Sequence, residues 1–134
     1  MAIPTAKPQK TVLIIDDQPF FITLQQAMLQ KQGYRVLAAP TGAEGLAQAK
    51  QHKPDLILLD VEMPGMDGFA VCEKLKQDEE LKKIPVIILT ATQSTKLNEK
   101  AFQAGAEITA IKSMAGERLL NMVRLSMDRR TPPA

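Results

Sequence analysis

A single cysteine, Cys72, and a single histidine, His52, leave this 134-residue chain without the parts for several kinds of chemistry. One thiol cannot build a disulfide framework or a paired-cysteine zinc site, and one imidazole removes most histidine-based metal and triad chemistry. Tryptophan is absent and aromatics are 4% of residues, too few for platforms that stack bases. Seventeen Lys and Arg against fifteen Asp and Glu leave +2, which lacks the strongly basic footprint of a nucleic-acid binder. No apolar run approaches the roughly 18 residues of a membrane span. Lys7, Pro8, Gln9 and Lys10 interrupt the N-terminus, so no secretory apolar core is expected there. Together these absences predict a reduced, cytoplasmic domain with neither a nucleic-acid nor a membrane partner.

What is present is ordinary globular material, 45% hydrophobic and 24% charged. The length suits one domain, expected over residues 10–128, with tails at 1–9 and 129–134. Val12–Ile15, Leu56–Leu59 and Val86–Leu89 are apolar runs without polar alternation, the pattern of strands buried on both faces of a parallel sheet. Weaker strands are expected at Tyr34–Ala38 and Glu107–Ile111. The segments between read as helices. Phe20, Leu24 and Met28 share one face, and Gly33 follows as a stop. Thr41 and Glu44 form a capping pair for a helix through Gln51. Phe69, Cys72, Leu75 and Lys76 mark a third helix after Asp67-Gly68. Leu97, Ala101 and Ala104 mark a fourth, ended by Gly105. Leu119, Leu120, Val123 and Met127 mark a fifth, with Ser113 as candidate cap. Five βα units predict a parallel sheet covered by helices on both sides.

Chemically capable residues sit at the strand ends: Asp16-Asp17, Asp60, Thr90 and Lys112. In a parallel sheet these emerge at one carboxyl edge, where open α/β sheets bind their ligands. Three carboxylates crowded there repel one another and call for a cation. Oxygen ligands of this kind suit Mg²⁺, which keeps waters for a phosphate group. Lys112 can neutralise a phosphate oxygen, Thr90 can donate a hydroxyl hydrogen bond, and a carboxylate can attack phosphorus to form an aspartyl-phosphate.

With Asp16-Asp17 after the first strand, Asp60 in LILLDVEMPGMDGF, Thr90 in PVIILTAT and Lys112 in GAEITAIKS, the chain resembles a response-regulator receiver domain of the stand-alone type. The resemblance runs from about Lys10 to Met127. It implies a flavodoxin-like doubly wound (βα)5 three-layer sandwich with a five-stranded parallel sheet in the order 2-1-3-4-5. It implies Asp60 as phosphoacceptor and Mg²⁺ as cofactor, with Asp17 a direct ligand, Asp16 acting mostly through water, and Glu62 contributing its main-chain carbonyl. Thr90 would follow the phosphoryl group, Lys112 would hold one of its oxygens, and Glu62 and Thr92 would tune its loss. Pro64 and Gly65 would shape the loop. The implied partners are a histidine kinase or histidine phosphotransfer protein and a downstream protein target. That target would be bound through the fourth helix, fifth strand and fifth helix, by a monomer or weak homodimer. Such a protein catalyses only its own phosphorylation and dephosphorylation.

Two positions depart from the family pattern. Thr109 stands where an aromatic switch is usual, and Ser113 stands where a proline follows the lysine. The Lys112–Ser113 bond is therefore expected to be either trans with a reshaped loop or a strained cis bond. These departures keep a second reading open, an interaction module of the same fold that ignores phosphate. A third class, hydrolases of the haloacid dehalogenase type, also uses an aspartyl-phosphate, but Asp60-Val61-Glu62-Met63 lacks their second Asp and their Thr. Cys72 reads as inert core and His52 as a surface turn residue. Phe20-Phe21 and the methionines read as packing, and Arg129-Arg130 as a fraying helix end.

Overall fold

The three apolar runs form the middle of one parallel sheet. In the structure, a computed structural model, β1 is Thr11–Ile15, β2 Arg35–Ala39, β3 Leu56–Asp60, β4 Val86–Thr90 and β5 Ile108–Ile111. The helices are α1 Pro19–Lys31, α2 Gly42–His52, α3 Gly68–Gln77, α4 Thr95–Ala104 and α5 Gly116–Arg130. The structure describes residues 9–130 apart from Pro64, Gln93, Met114 and Ala115, and only the backbone of Arg129 and Arg130. Most of both expected tails, and the expected loop role of Pro64, lie outside the described residues. The strands run in the order β2-β1-β3-β4-β5, as expected.

Side chains alternate across the sheet with the period of two that a pleated strand imposes. Leu13, Ile15, Ile57, Leu59, Val86 and Ile88 face one layer, where they pack with Ala49 of α2, Val71, Cys72 and Leu75 of α3, and Ala101 and Ala104 of α4. Val12, Ile14, Leu56, Leu58, Ile87 and Leu89 face the other, against Leu29 of α1 and Leu119, Val123 and Met127 of α5. That double coverage is why the strand runs carry no polar alternation. The helix starts are chemically explicit. The Thr41, Asp67 and Ser94 side chains accept from the N–H groups of Glu44, Ala70 and Leu97. Gly33 and Gly105 follow α1 and α4 at positive φ, as expected of stops.

Three local expectations are corrected. Phe20 and Leu24 do not face the core: they are 71% and 54% exposed, while Gln25 and Leu29 are the buried residues of α1. Apolar residues at 20, 21, 22, 24, 28 and 29 spread over more than half of this helix's circumference, wider than one face, so periodicity alone could not choose its phase. The helix α5 begins at Gly116, three residues beyond the expected cap Ser113. The weaker strands start one residue later than expected, at Arg35 and Ile108, because the Tyr34 N–H closes the end of α1 on the Leu29 carbonyl and Glu107 leads into β5.

Candidate functional site

Ladder hydrogen bonds bring the strand ends to one height. The Asp16 N–H donates to Ala39 at 3.1 Å, Val61 to Leu89 at 3.1 Å and Lys112 to Thr90 at 2.8 Å. Asp16, Asp60, Thr90 and Lys112 thus leave adjacent strands at the same edge. The loop after Asp60 returns closely: the Gly68 N–H donates to the Val61 carbonyl at 2.9 Å. A Cβ at Gly68 would lie 2.3 Å from the Asp60 carbonyl oxygen, so only glycine lets α3 begin there.

One oxygen from each of Asp16, Asp17 and Asp60 lies within 4.8 Å of the others. Asp16 and Asp60 are buried, and Asp17 is more open. Asp16 Oδ1 accepts the Gln18 N–H at 2.9 Å. Asp16 Oδ2 is 3.0 Å from Lys112 Nζ but lacks the alignment of a hydrogen bond, so charge carries that contact. Lys112 Nζ also lies 3.2 Å from Asp60 Oδ1. Burial, and then the neighbouring Asp16 charge, push the Asp60 carboxyl up from 3.8 to about 6. Lys112 and the Glu62 N–H, which donates to the Asp60 carboxyl, pull the other way. A cleft of about 460 Å³ opens over this cluster, lined by Asp17, Gln18, Phe21, Asp60, Glu62, Ala91, Lys112 and Ser113.

Such a cluster suits a hard divalent cation: three carboxylates are within joint reach, and one ammonium cannot neutralise them. The expected site residues therefore converge, with one exception. Thr90 is buried, but its hydroxyl donates to the Thr92 carbonyl at 2.7 Å and does not line the cleft. The Lys112–Ser113 bond is trans, not the strained cis bond. Thr109 donates to Asn98 Oδ1 of α4 at 2.7 Å.

Two residues at this site carry no sequence signal of their own. Gln18 accepts a hydrogen bond from Lys112 Nζ at 2.8 Å, and the same ammonium sits 4.4 Å from the centre of the Phe21 ring. In the sequence, Phe21 reads only as packing. The one hint was position: Gln18 occupies the cap of α1, a place where glutamine is not favoured.

The family model described as response regulator receiver domain matches residues 12–124. This chain belongs to that family. The receiver is 40% identical over 118 residues to the DNA-binding dual master transcriptional regulator RpaA of Synechocystis, of which it spans about half, 49%. It is 38% identical over 112 residues to protein PilH of Pseudomonas aeruginosa, covering 84% of this chain and 93% of that protein. The fold matches chemotaxis protein CheY4 of Vibrio cholerae with a TM-score of 0.86 at 29% identity, over 89% of this chain and 99% of that one. The receiver is thus a signalling module of two-component response regulators. Among the described residues no helix is long and apolar enough to cross a membrane.

Proposed function

We propose that Asp60 is the phosphoacceptor of a two-component relay. The observation that carries this reading is the joint approach of Asp16, Asp17 and Asp60 with Lys112 Nζ 3.2 Å from Asp60 Oδ1. The donor is a phosphohistidine on a histidine kinase or phosphotransfer protein. An Asp60 oxygen attacks phosphorus, the N–P bond breaks, an O–P bond forms, and the imidazole leaves with the bonding pair.

Asp16, Asp17, Asp60 and the Glu62 carbonyl would hold Mg²⁺. When bound, the ion supplies positive charge that lets the carboxylates stay ionised while phosphoryl oxygens approach. Asp60 is the nucleophile, and Lys112 pairs with a phosphoryl oxygen in place of the carboxylate it now touches. The Thr90 hydroxyl leaves the Thr92 carbonyl to donate to the transferred group. That releases the loop leading to the Ser94 cap of α4, which supports a change in the α4–β5–α5 face and in binding of a downstream protein. Glu62, exposed at the cleft, and Thr92 tune loss of the group.

Intact mass after incubation with Mg²⁺ and acetyl phosphate tests the reading. Wild type is expected to gain one phosphoryl adduct and Asp60→Asn none. A wild type that takes up nothing, or an unchanged adduct on Asp60→Asn, would sink it. Sustained phosphate release from monoesters would instead favour a hydrolase.

A further inference from the structure

Lys112 is held from a side that the acidic cluster does not explain. Gln18 and Phe21, both at the start of α1, meet its ammonium at 2.8 Å and at 4.4 Å from the ring centre. Gln18 stands at the cap position of α1, yet its side chain makes no cap hydrogen bond and reaches across the cleft instead. The Phe20 ring meets Phe21 edge-on, with centroids 5.7 Å apart and planes at 76°, and braces it although Phe20 itself is mostly exposed.

We propose that the Gln18 amide and the Phe21 ring are positioning residues for Lys112, keeping its ammonium beside Asp60 when the acidic cluster is occupied by a cation. The proposal rests on reading Asp60 as the phosphoacceptor. Two carboxylates attract Lys112 in the cation-free site, at 3.0 and 3.2 Å. A divalent cation on those carboxylates cancels that attraction and repels the ammonium. A neutral amide acceptor and a ring face keep their hold in either state. A glutamate at position 18 would add a fourth acid to the cluster, whereas glutamine adds an acceptor without charge. The restraint matters here because a lysine stem is flexible, and Ser113 brings no ring to stiffen the backbone behind it.

The test uses the full chain as wild type, Phe21→Leu, Phe21→Tyr and Gln18→Met, with circular dichroism as the folding check. Carbon–proton correlation NMR follows the Lys112 ε-methylene, assigned by its loss in Lys112→Gln. In wild type this resonance should be shifted upfield by the Phe21 ring, with and without Mg²⁺. Phe21→Leu should return it to the position of the other lysines, and Phe21→Tyr should retain it. The second-order rate of adduct formation with acetyl phosphate should fall about three- to tenfold in Phe21→Leu and Gln18→Met, and stay within about twofold in Phe21→Tyr. Gln18 is exposed and outside the core, so its variant decides the matter if Phe21→Leu does not fold. An unshifted wild-type resonance, or rates unchanged in both variants, overturns the proposal while leaving the phosphoacceptor reading intact. If wild type takes no phosphoryl group, the phosphoacceptor reading fails and the positioning role fails with it. The resonance then still reports whether the cradle exists.

Discussion

Replacing Asp60 by asparagine should make the cation-free protein more stable, although it removes the residue on which the proposed chemistry depends. The folded environment pushes this carboxyl from 3.8 to about 6, burial being the largest cause and Asp16 the next. A group whose pKa is raised by folding favours the folded state below its unfolded pKa. That benefit is lost as pH rises through the folded value. At neutral pH the gap of roughly two units corresponds to about 3 kcal/mol at about 1.4 kcal/mol per unit. The attraction to Lys112 is already contained in that net shift. Asparagine is not an exact copy of a protonated carboxyl, so about 2–3 kcal/mol is the expected gain. For a domain of this size that is on the order of 10 °C in Tm.

The assay is thermal unfolding of wild type and Asp60→Asn in EDTA across pH 4 to 8. The variant should be the more stable protein at pH 7.5, and its advantage should shrink as pH falls from about 6 toward 4. Adding Mg²⁺ should narrow the difference, because a ligand of the folded state stabilises wild type by mass action. A variant no more stable than wild type at pH 7.5, or an advantage undiminished near pH 4, would refute the electrostatic reasoning.

Three further outcomes follow from the same geometry. Lys112→Met leaves the buried Asp16 and Asp60 without their cation and should cost about 3–5 kcal/mol in urea titrations at pH 7.5 in EDTA, less at pH 5 and less with Mg²⁺. Gly68→Ala forces a Cβ against the Asp60 carbonyl and should cost about 1–3 kcal/mol by the same titration, with slower adduct formation because the Asp60 backbone must shift. Thr109→Val loses only the hydrogen bond to Asn98 and should cost about 1 kcal/mol or less, leaving the rate of adduct formation seen by intact mass unchanged.

The central strands were legible because burial on both faces leaves an unmistakable composition: Leu56, Ile57, Leu58 and Leu59 are all fully buried. The approach of the three acids and Lys112 to one another was legible because parallel topology carries every strand end to one edge. The phase of α1 was not legible, since its apolar residues spread over more than half of its circumference and a polar Gln25 takes an inward position among them. The Thr90 rotamer was not legible either. A hydroxyl can serve a ligand or its own loop with equal chemistry, and here it serves Thr92. Gln18 and Phe21 leave no mark in the sequence because each has an ordinary local role available, cap or packing, and only the fold brings them to Lys112.

The cluster that weakens the folded state also makes this edge of the sheet sensitive to any added or removed charge. Asp60 is buried beside Asp16 with only Lys112 to offset the charge, so any change in charge there alters the balance of the whole edge. Among the described residues, the adjoining contacts that would answer such a change are polar. Thr90 holds Thr92 in the loop that runs to the Ser94 cap, and one turn into α4 Asn98 accepts from Thr109 of β5. With no aromatic ring at position 109, a rearrangement along this path would exchange hydrogen bonds instead of rotating a large side chain through the core. Each such bond is worth about 1 kcal/mol net. The penalty on the ionised Asp60 carboxyl, about 3 kcal/mol from burial first and the Asp16 charge second, is larger than either of these hydrogen bonds.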